Sequence, residues 1–147
     1  MSNRSSLELE ARVIEAMNDK AQLLGMSSTT FVDVHGMGEN YSTARDLVLL
    51  THEFMDTPIL REIVGATEYT VEVRSGRGTS RTRLWRNTNQ LLGEFHGVKT
   101  GHTNLAGGCL ILSGEYSGKT RRVIVLGSSN QSTRFMDAFN IFQWSLR

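Results

Sequence analysis

The sequence predicts an α+β domain, an antiparallel sheet with helices packed on it. Three observations carry this expectation. Apolar residues recur at helical spacing through most of the first 65 residues. After Gly65 the pattern changes to short, β-rich runs broken by Gly- and Ser-rich turns. A final helical pattern then ends the chain. Helices, then strands, then a helix argue for helices segregated on an antiparallel sheet rather than alternating β–α units. With 147 residues the chain is most simply one domain, large enough to bury a core. Residues 1–65 would be its helical part, and 66–147 its sheet plus C-terminal helix.

The elements follow in order. Ser5 to about Leu24 should be an amphipathic helix, with Leu7, Ala11, Ile14, Met17, Ala21 and Leu24 on one face. Ser5 with Glu8 reads as a capping box and Gly25 as a C-terminal stop. Met26 to Asn40 is a connector rich in Ser, Thr and Gly. A second helix should start at an N-cap Ser42 and run to about Met55, burying Ala44, Leu47, Val48, Thr51, Phe54 and Met55. Thr57-Pro58 opens a short third helix that Gly65 ends. Tyr69–Val73 and Thr82–Trp85 read as a strand pair around Ser75-Gly76-Arg77-Gly78. Gly97–Thr103, Gly108–Gly114 and Arg121–Gly127 should form an antiparallel meander, because only short turns separate them. Ser132 to Trp144 is the last helix, with Phe135, Ala138, Phe139 and Phe142 on one face.

Bulk properties narrow the function classes. A formal net charge of +1 calls for no polyanionic partner. Cys109 is the only cysteine, so no internal disulfide forms, and its apolar neighbours make it a small buried hydrophobe rather than a reactive thiol. His35, His52, His96 and His102 show no metal-ligand spacing with Cys or acids, so neither a metal nor a cofactor is expected. Arg74, Arg77, Arg81, Arg83 and Arg86 cluster beside Trp85. A nucleic-acid surface and a solvated hairpin face are both open readings. The second is favoured, because Glu68 and Glu72 lie nearby and the overall charge is near zero. No apolar run reaches the length of a membrane span, and Met1-Ser2-Asn3-Arg4 leads into no signal-peptide core.

The stretch with chemistry in it is Gly97-Val98-Lys99-Thr100-Gly101-His102-Thr103. Lys99 and Thr100 put a cation and a hydroxyl donor on adjacent residues, which suits a substrate ending in a carboxylate. Gly101 leaves the backbone bare, so a peptide can lie along the strand. In a regular strand Lys99 and Gly101 face one side and Thr100 the other. Thr100 would then reach the ligand only where the strand twists or bends. The competing reading is an ordinary strand with a solvated lysine, since chance alone puts Lys-Thr-Gly in roughly two or three chains in a hundred of this length.

Its company in order changes those odds. Leu24-Gly25-Met26, Thr30-Phe31-Val32, Tyr41-Ser42-Thr43-Ala44-Arg45-Asp46-Leu47, Asn87-Thr88-Asn89-Gln90-Leu91-Leu92-Gly93, Val98-Lys99-Thr100-Gly101-His102-Thr103, Ala106-Gly107, Val125-Leu126-Gly127 and Arg134-Phe135 accompany one another. Together they resemble the serine D-alanyl-D-alanine carboxypeptidases, the low-molecular-mass penicillin-binding proteins, from about Met17 onward. The resemblance implies the β-lactamase/transpeptidase-like fold, with the Lys-Thr-Gly strand lining a cleft beside the helical lobe. It implies removal of the terminal D-alanine from peptidoglycan stem peptides through a serine acyl-enzyme that β-lactams also acylate. It also implies a periplasmic or cell-wall location. No cofactor and no nucleic-acid partner are expected. Within it, Lys99, Thr100 and Gly101 bind substrate and the His102 backbone N–H is one oxyanion-hole donor. Arg134 is either a second cation near the substrate carboxylate or a helix-start arginine in a surface salt bridge.

The family's Ser-x-x-Lys nucleophile motif is missing from this sequence: no serine has Lys three residues on, and Ser117-Gly118-Lys119 has the wrong spacing. Ser2-Asn3 lacks the intervening residue of Ser-x-Asn. The chain thus resembles the C-terminal half of the catalytic domain, with substrate-binding parts and no nucleophile. Two functions stay open: the substrate-binding half of a carboxypeptidase, or a non-catalytic module that binds peptidoglycan or a partner. The resemblance also implies that upstream strands complete the sheet beside Arg121–Gly127. That edge should otherwise associate with a separate N-terminal segment or with a second copy.

Overall fold

A computed structural model describes residues 2–76 and 78–147, without the side chains of Ser2, Asn3 and Arg4. Arg77 of the arginine cluster and the Ser2-Asn3 side chains therefore lie outside the described residues.

Helix α1 spans Ser2–Leu23. Ser5 lies inside it and is not its cap. Nothing in Ser2-Asn3-Arg4 is a Pro or Gly that would stop the helix there. Its end is the one the sequence predicts. Gly25 sits at φ 77°. Its N–H bonds the Gln22 carbonyl at 2.9 Å while the Met26 N–H reaches the Ala21 carbonyl at 2.9 Å, a Schellman pair. Ala21 and Met26 are buried together at that turn. Ile14, Met17 and Leu24 are half-buried, while Leu7 and Ala11 stay exposed.

Helix α2 spans Ala44–Asp56 and its N-cap is Thr43, not Ser42. The Thr43 hydroxyl accepts from the Asp46 N–H at 3.2 Å. Ser42 instead pairs its hydroxyl with Thr29 at 2.9 Å. Both residues are good caps, and the contact with the connector decides between them. Thr51 and Met55 are buried as expected from the periodicity, but Val48 and Ala44 are exposed. Helix α3, Pro58–Gly65, follows the Thr57 cap. Among the described residues no helix is long and apolar enough to cross a membrane.

Strands β1 (Glu68–Arg74) and β2 (Ser80–Arg86) form a two-stranded antiparallel ribbon. Strands β3 (His96–Thr103), β4 (Gly107–Tyr116) and β5 (Lys119–Ser128) form a separate sheet in the order β3-β4-β5. This is the predicted meander. Lys99 pairs with Ile111, Thr100 with Leu110 and Gly101 with Cys109. The register shifts between His96 and Val98. Gly97 at this irregularity has φ 38°, and a Cβ there would lie 2.6 Å from Val64 of α3. Glycine thus lets α3 close on the start of β3.

Helix α4, Thr133–Trp144, covers one face of the sheet. Leu110 and Leu112 on the central strand are fully buried and pack in one cluster with Phe95, Val123, Val125, Phe135, Ala138 and Phe142. Burying each leucine contributes about 1.5–3 kcal/mol. Phe95 meets Phe142 edge to face, with centroids 4.8 Å apart. Gly114 makes that contact possible, since a Cβ there would lie 2.8 Å from both rings. Strand β5 pairs with β4 and, among the described residues, with nothing on its other side. Val123 and Val125 are buried and Ile124 half-buried, so the edge offers backbone rather than an open apolar stripe.

Candidate functional site

A cleft of about 820 Å³ opens where β3, the start of α4, the segment after β2 and the connector between α1 and α2 meet. Lys99, Thr100, Gly101, His102 and Arg134 all line it. Each reaches it for a different structural reason.

Strand β3 is an edge strand, so the cleft can wrap around it. This resolves the alternation problem: Thr100 lines the cleft with Lys99 and Gly101 although neighbouring side chains point to opposite faces. Its hydroxyl is held 2.6 Å from the Thr88 hydroxyl, on the segment that follows β2. Lys99 is exposed, and its ammonium donates to the Thr100 carbonyl. His102 is exposed, with Nδ1 3.3 Å from the amide nitrogen of Gln131.

Among the described residues Arg134 makes no surface salt bridge. It is only 6% exposed. Its Nη1 donates to the Gly101 carbonyl at 2.6 Å, and its guanidinium lies 4.9 Å from the Phe135 ring centroid. Among the described residues its Nε has no hydrogen-bond partner. The helix-side arginine is therefore clamped onto the Lys-Thr-Gly strand by a charge-assisted hydrogen bond. Among the described residues the cleft is lined by two basic side chains, Lys99 and Arg134, and by no aspartate or glutamate. A carboxylate entering it meets positive charge and hydroxyl donors with no acid to repel it.

The opposite wall includes residues that the sequence reading passed over. His35, Gly36 and Met37 line the cleft from the connector. Buried Asp33 shapes that loop. Its carboxylate accepts from the Asn40 amide at 2.9 Å, from the backbone N–H of His35 at 3.1 Å and of Gly36 at 2.6 Å, and from the Gly38 N–H. The Asn40 bond, the backbone bonds and nearby His35 hold its pKa far below the usual carboxylate range. Asp46, at the start of α2, is lowered too, chiefly by the Thr29 hydroxyl and then by the Ser28 N–H, each at 2.8 Å. An aspartate followed by closely spaced glycines is the signal that could have marked the first loop. Asn87 was also underread. It lines the cleft while its backbone N–H bonds the Thr67 carbonyl at 2.8 Å and its amide bonds the Ala66 carbonyl at 3.0 Å. Cys109 is half-buried on the cleft wall rather than in the core, with Sγ 3.6 Å from the Ala106 carbonyl. The pairing of Cys109 with Gly101 on the adjacent strand carries it there.

The geometry has counterparts among known proteins. A family model described as D-alanyl-D-alanine carboxypeptidase matches residues 10–130. A D-alanyl-D-alanine endopeptidase of Pseudomonas aeruginosa is 35% identical over 89% of this chain and 43% of its own length. A D-alanyl-D-alanine carboxypeptidase of a Streptomyces strain is 35% identical over 95% of this chain and 51% of its own length. The crystal structure of a Streptomyces DD-transpeptidase superposes with a TM-score of 0.83 and 36% identity, covering 90% of this chain and 53% of that one. A penicillin-binding protein of Listeria monocytogenes, solved in a cefotaxime-bound form, superposes with a TM-score of 0.73 and 33% identity, covering 91% of this chain and 55% of that one. This chain thus spans about half the length of these relatives, and about a third of others. The α+β penicillin-binding fold, the ordered motifs around Lys99 and the match over residues 10–130 agree, and the chain belongs to the D-alanyl-D-alanine carboxypeptidase family.

Proposed function

We propose that this chain supplies the substrate-binding wall of a serine D-alanyl-D-alanine carboxypeptidase. It would be a partial catalytic domain, corresponding to the C-terminal half, in which residues 1–65 give helical structure and 66–147 the sheet and closing helix. The observation that carries this reading is the acid-free cleft in which Lys99, Thr100 and Arg134 converge. The terminal carboxylate of a stem peptide, or the equivalent carboxylate of a β-lactam, docks there. Lys99 provides a mobile point charge. Thr100 donates its hydroxyl from a position set by Thr88. Arg134 adds a second charge to the cleft and holds the strand through Gly101. The bare backbone at Gly101 admits the peptide along the strand edge, and the His102 N–H faces the developing oxyanion. Removing such a donor typically costs about 10²–10³ in rate. On this reading the protein works at the cell-wall face of the bacterial membrane or in the periplasm.

The nucleophile and its lysine base come from elsewhere, since Ser-x-x-Lys does not occur in this sequence. A segment carrying them docks beside the unpaired edge of β5, where backbone groups stand ready for another strand. Labelled penicillin tests this directly. The chain alone should take no covalent label, and label should appear once a segment bearing Ser-x-x-Lys is added. Labelling of the isolated chain would overturn the assignment. In the reconstituted enzyme Lys99→Ala should lose activity by orders of magnitude, and unchanged turnover would remove Lys99 from the site. If no added segment restores labelling while a D-alanyl-D-alanine peptide still binds, the chain is a binding module.

A further inference from the structure

The β1–β2 ribbon is the part of the fold that the cleft does not use. Among the described residues its strands pair only with each other. Directly opposed residues in an antiparallel pair project to the same face, so the register divides the ribbon into two faces of different chemistry. One face is internally neutralised: Arg86 lies 3.8 Å from Glu68, and Arg74 lies 3.7 Å from Glu72. The other pairs Tyr69 with Trp85, Val71 with Arg83 and Val73 with Arg81. Tyr69 is 65% exposed and Trp85 58%. Among the described residues no carboxylate lies within ion-pair distance of Arg81 or Arg83.

Two open aromatic rings beside two unneutralised guanidiniums suit one kind of ligand. Ring faces accept the apolar C–H faces of sugars, and the planar guanidinium fork accepts carboxylates. The ribbon is also fixed relative to the cleft. Asn87, the residue after β2, lines the cleft and ties the base of the ribbon to the Thr67, Ala66 and Val64 carbonyls. Trp85 stands only two residues before Asn87, so the aromatic end of this face adjoins the cleft along the chain.

We propose that the Tyr69/Trp85/Arg81/Arg83 face is a docking arm for the peptidoglycan strand. The rings stack on its saccharides, and the arginines bind carboxylates of the neighbouring stem peptides. The inference rests on the reading of the cleft given above. A nucleic acid is the weaker fit, because the opposite face is neutralised and a net charge of +1 generates little field for a polyphosphate.

Cosedimentation of the full chain with purified peptidoglycan sacculi at about 0.15 M salt tests the arm. Trp85→Ala and the pair Arg81→Gln/Arg83→Gln should each weaken binding about tenfold, the scale of losing an exposed anchor. The pair Arg74→Gln/Arg86→Gln removes the same charge from the other face and should stay within about twofold of the native chain. Circular dichroism confirms that each variant is folded. Native-like binding by the first two variants overturns the proposal. So does equal loss in both arginine pairs, or equal retention on DNA-cellulose, because net charge alone then explains the binding. A soluble peptide ending in D-alanyl-D-alanine reports the cleft separately. Lys99→Ala should weaken that peptide, whereas the ribbon variants should not. A Lys99 variant that binds the peptide normally withdraws the cleft reading, while sacculi indifferent to Trp85 and the arginine pair withdraw the arm.

Discussion

Arg134 on α4 donates a 2.6 Å hydrogen bond to the carbonyl of Gly101 on β3. The helix that completes the core is thereby fastened to the strand that forms the cleft. The same side chain serves packing and site, so its replacement should affect both.

Arg134→Ala should lower stability by about 1–3 kcal/mol, because it leaves the Gly101 carbonyl without its charged donor. On the proposed reading it also weakens a D-alanyl-D-alanine peptide by about tenfold or more. Arg134→Lys keeps the charge without the planar fork and should recover only part of either loss. Urea unfolding and peptide titration read the two effects. A variant with native stability would show that the Gly101 contact contributes nothing.

Thr88 holds the Thr100 hydroxyl of the Lys-Thr-Gly triplet through the hydroxyl pair at 2.6 Å. Thr88→Val keeps the shape and removes the partner. The Thr100 hydroxyl then rotates freely, and peptide affinity should fall by about threefold to tenfold, with stability changed by less than about 1 kcal/mol. Thr100→Val should cost at least as much affinity. If Thr88→Val binds like the native chain, the Thr100 hydroxyl is not oriented by it.

Acid should loosen the connector before the sheet. Asp33 and Asp46 are both held below the ordinary carboxylate range by hydrogen bonds formed in the folded state. A depressed folded-state pKa stabilises at pH values above the unfolded-state value, and that contribution is lost as pH falls through the folded-state value. The urea midpoint should therefore drop below about pH 4, near the ordinary aspartate pKa. An Asp33→Asn/Asp46→Asn variant should start less stable at neutral pH and show a flatter acid slope. Matching slopes in the two proteins would exclude these carboxylates as the source. Amide exchange at Gly36 and Gly38, whose N–H groups bond Asp33, should accelerate first.

The core has a position where adding a methyl group is the damaging change. Gly114→Ala would press a Cβ to 2.8 Å from the Phe95 and Phe142 rings. The cost should be about 1–3 kcal/mol from overpacking. Phe142→Ala removes the edge-to-face partner and should cost about 3–5 kcal/mol. The double variant should recover part of the sum, since the space vacated by the ring accepts the methyl. Strict additivity in denaturant unfolding would rule out the contact as the cause.

Much of this protein is set by local pattern. Ala21, Gly25 and Met26 end α1 as a glycine turn requires, Pro58 starts α3, and β3, β4 and β5 pair as their short turns dictate. Those features depend on neighbours in sequence, so sequence alone determines them. The motif order around Lys99 likewise marked the strand that lines the cleft. Tertiary structure decided the remainder. Thr43 rather than Ser42 caps α2 because Ser42 meets Thr29. Arg134 is buried against Gly101 because the first turn of α4 meets β3 there, a contact 33 residues apart that no periodicity encodes. Thr100 enters the cleft because β3 lies at a sheet edge, and Met37 and His35 face it because Asp33 closes their loop. Sequence pattern reports which residues can form an element; only packing decides which of their polar groups find one another.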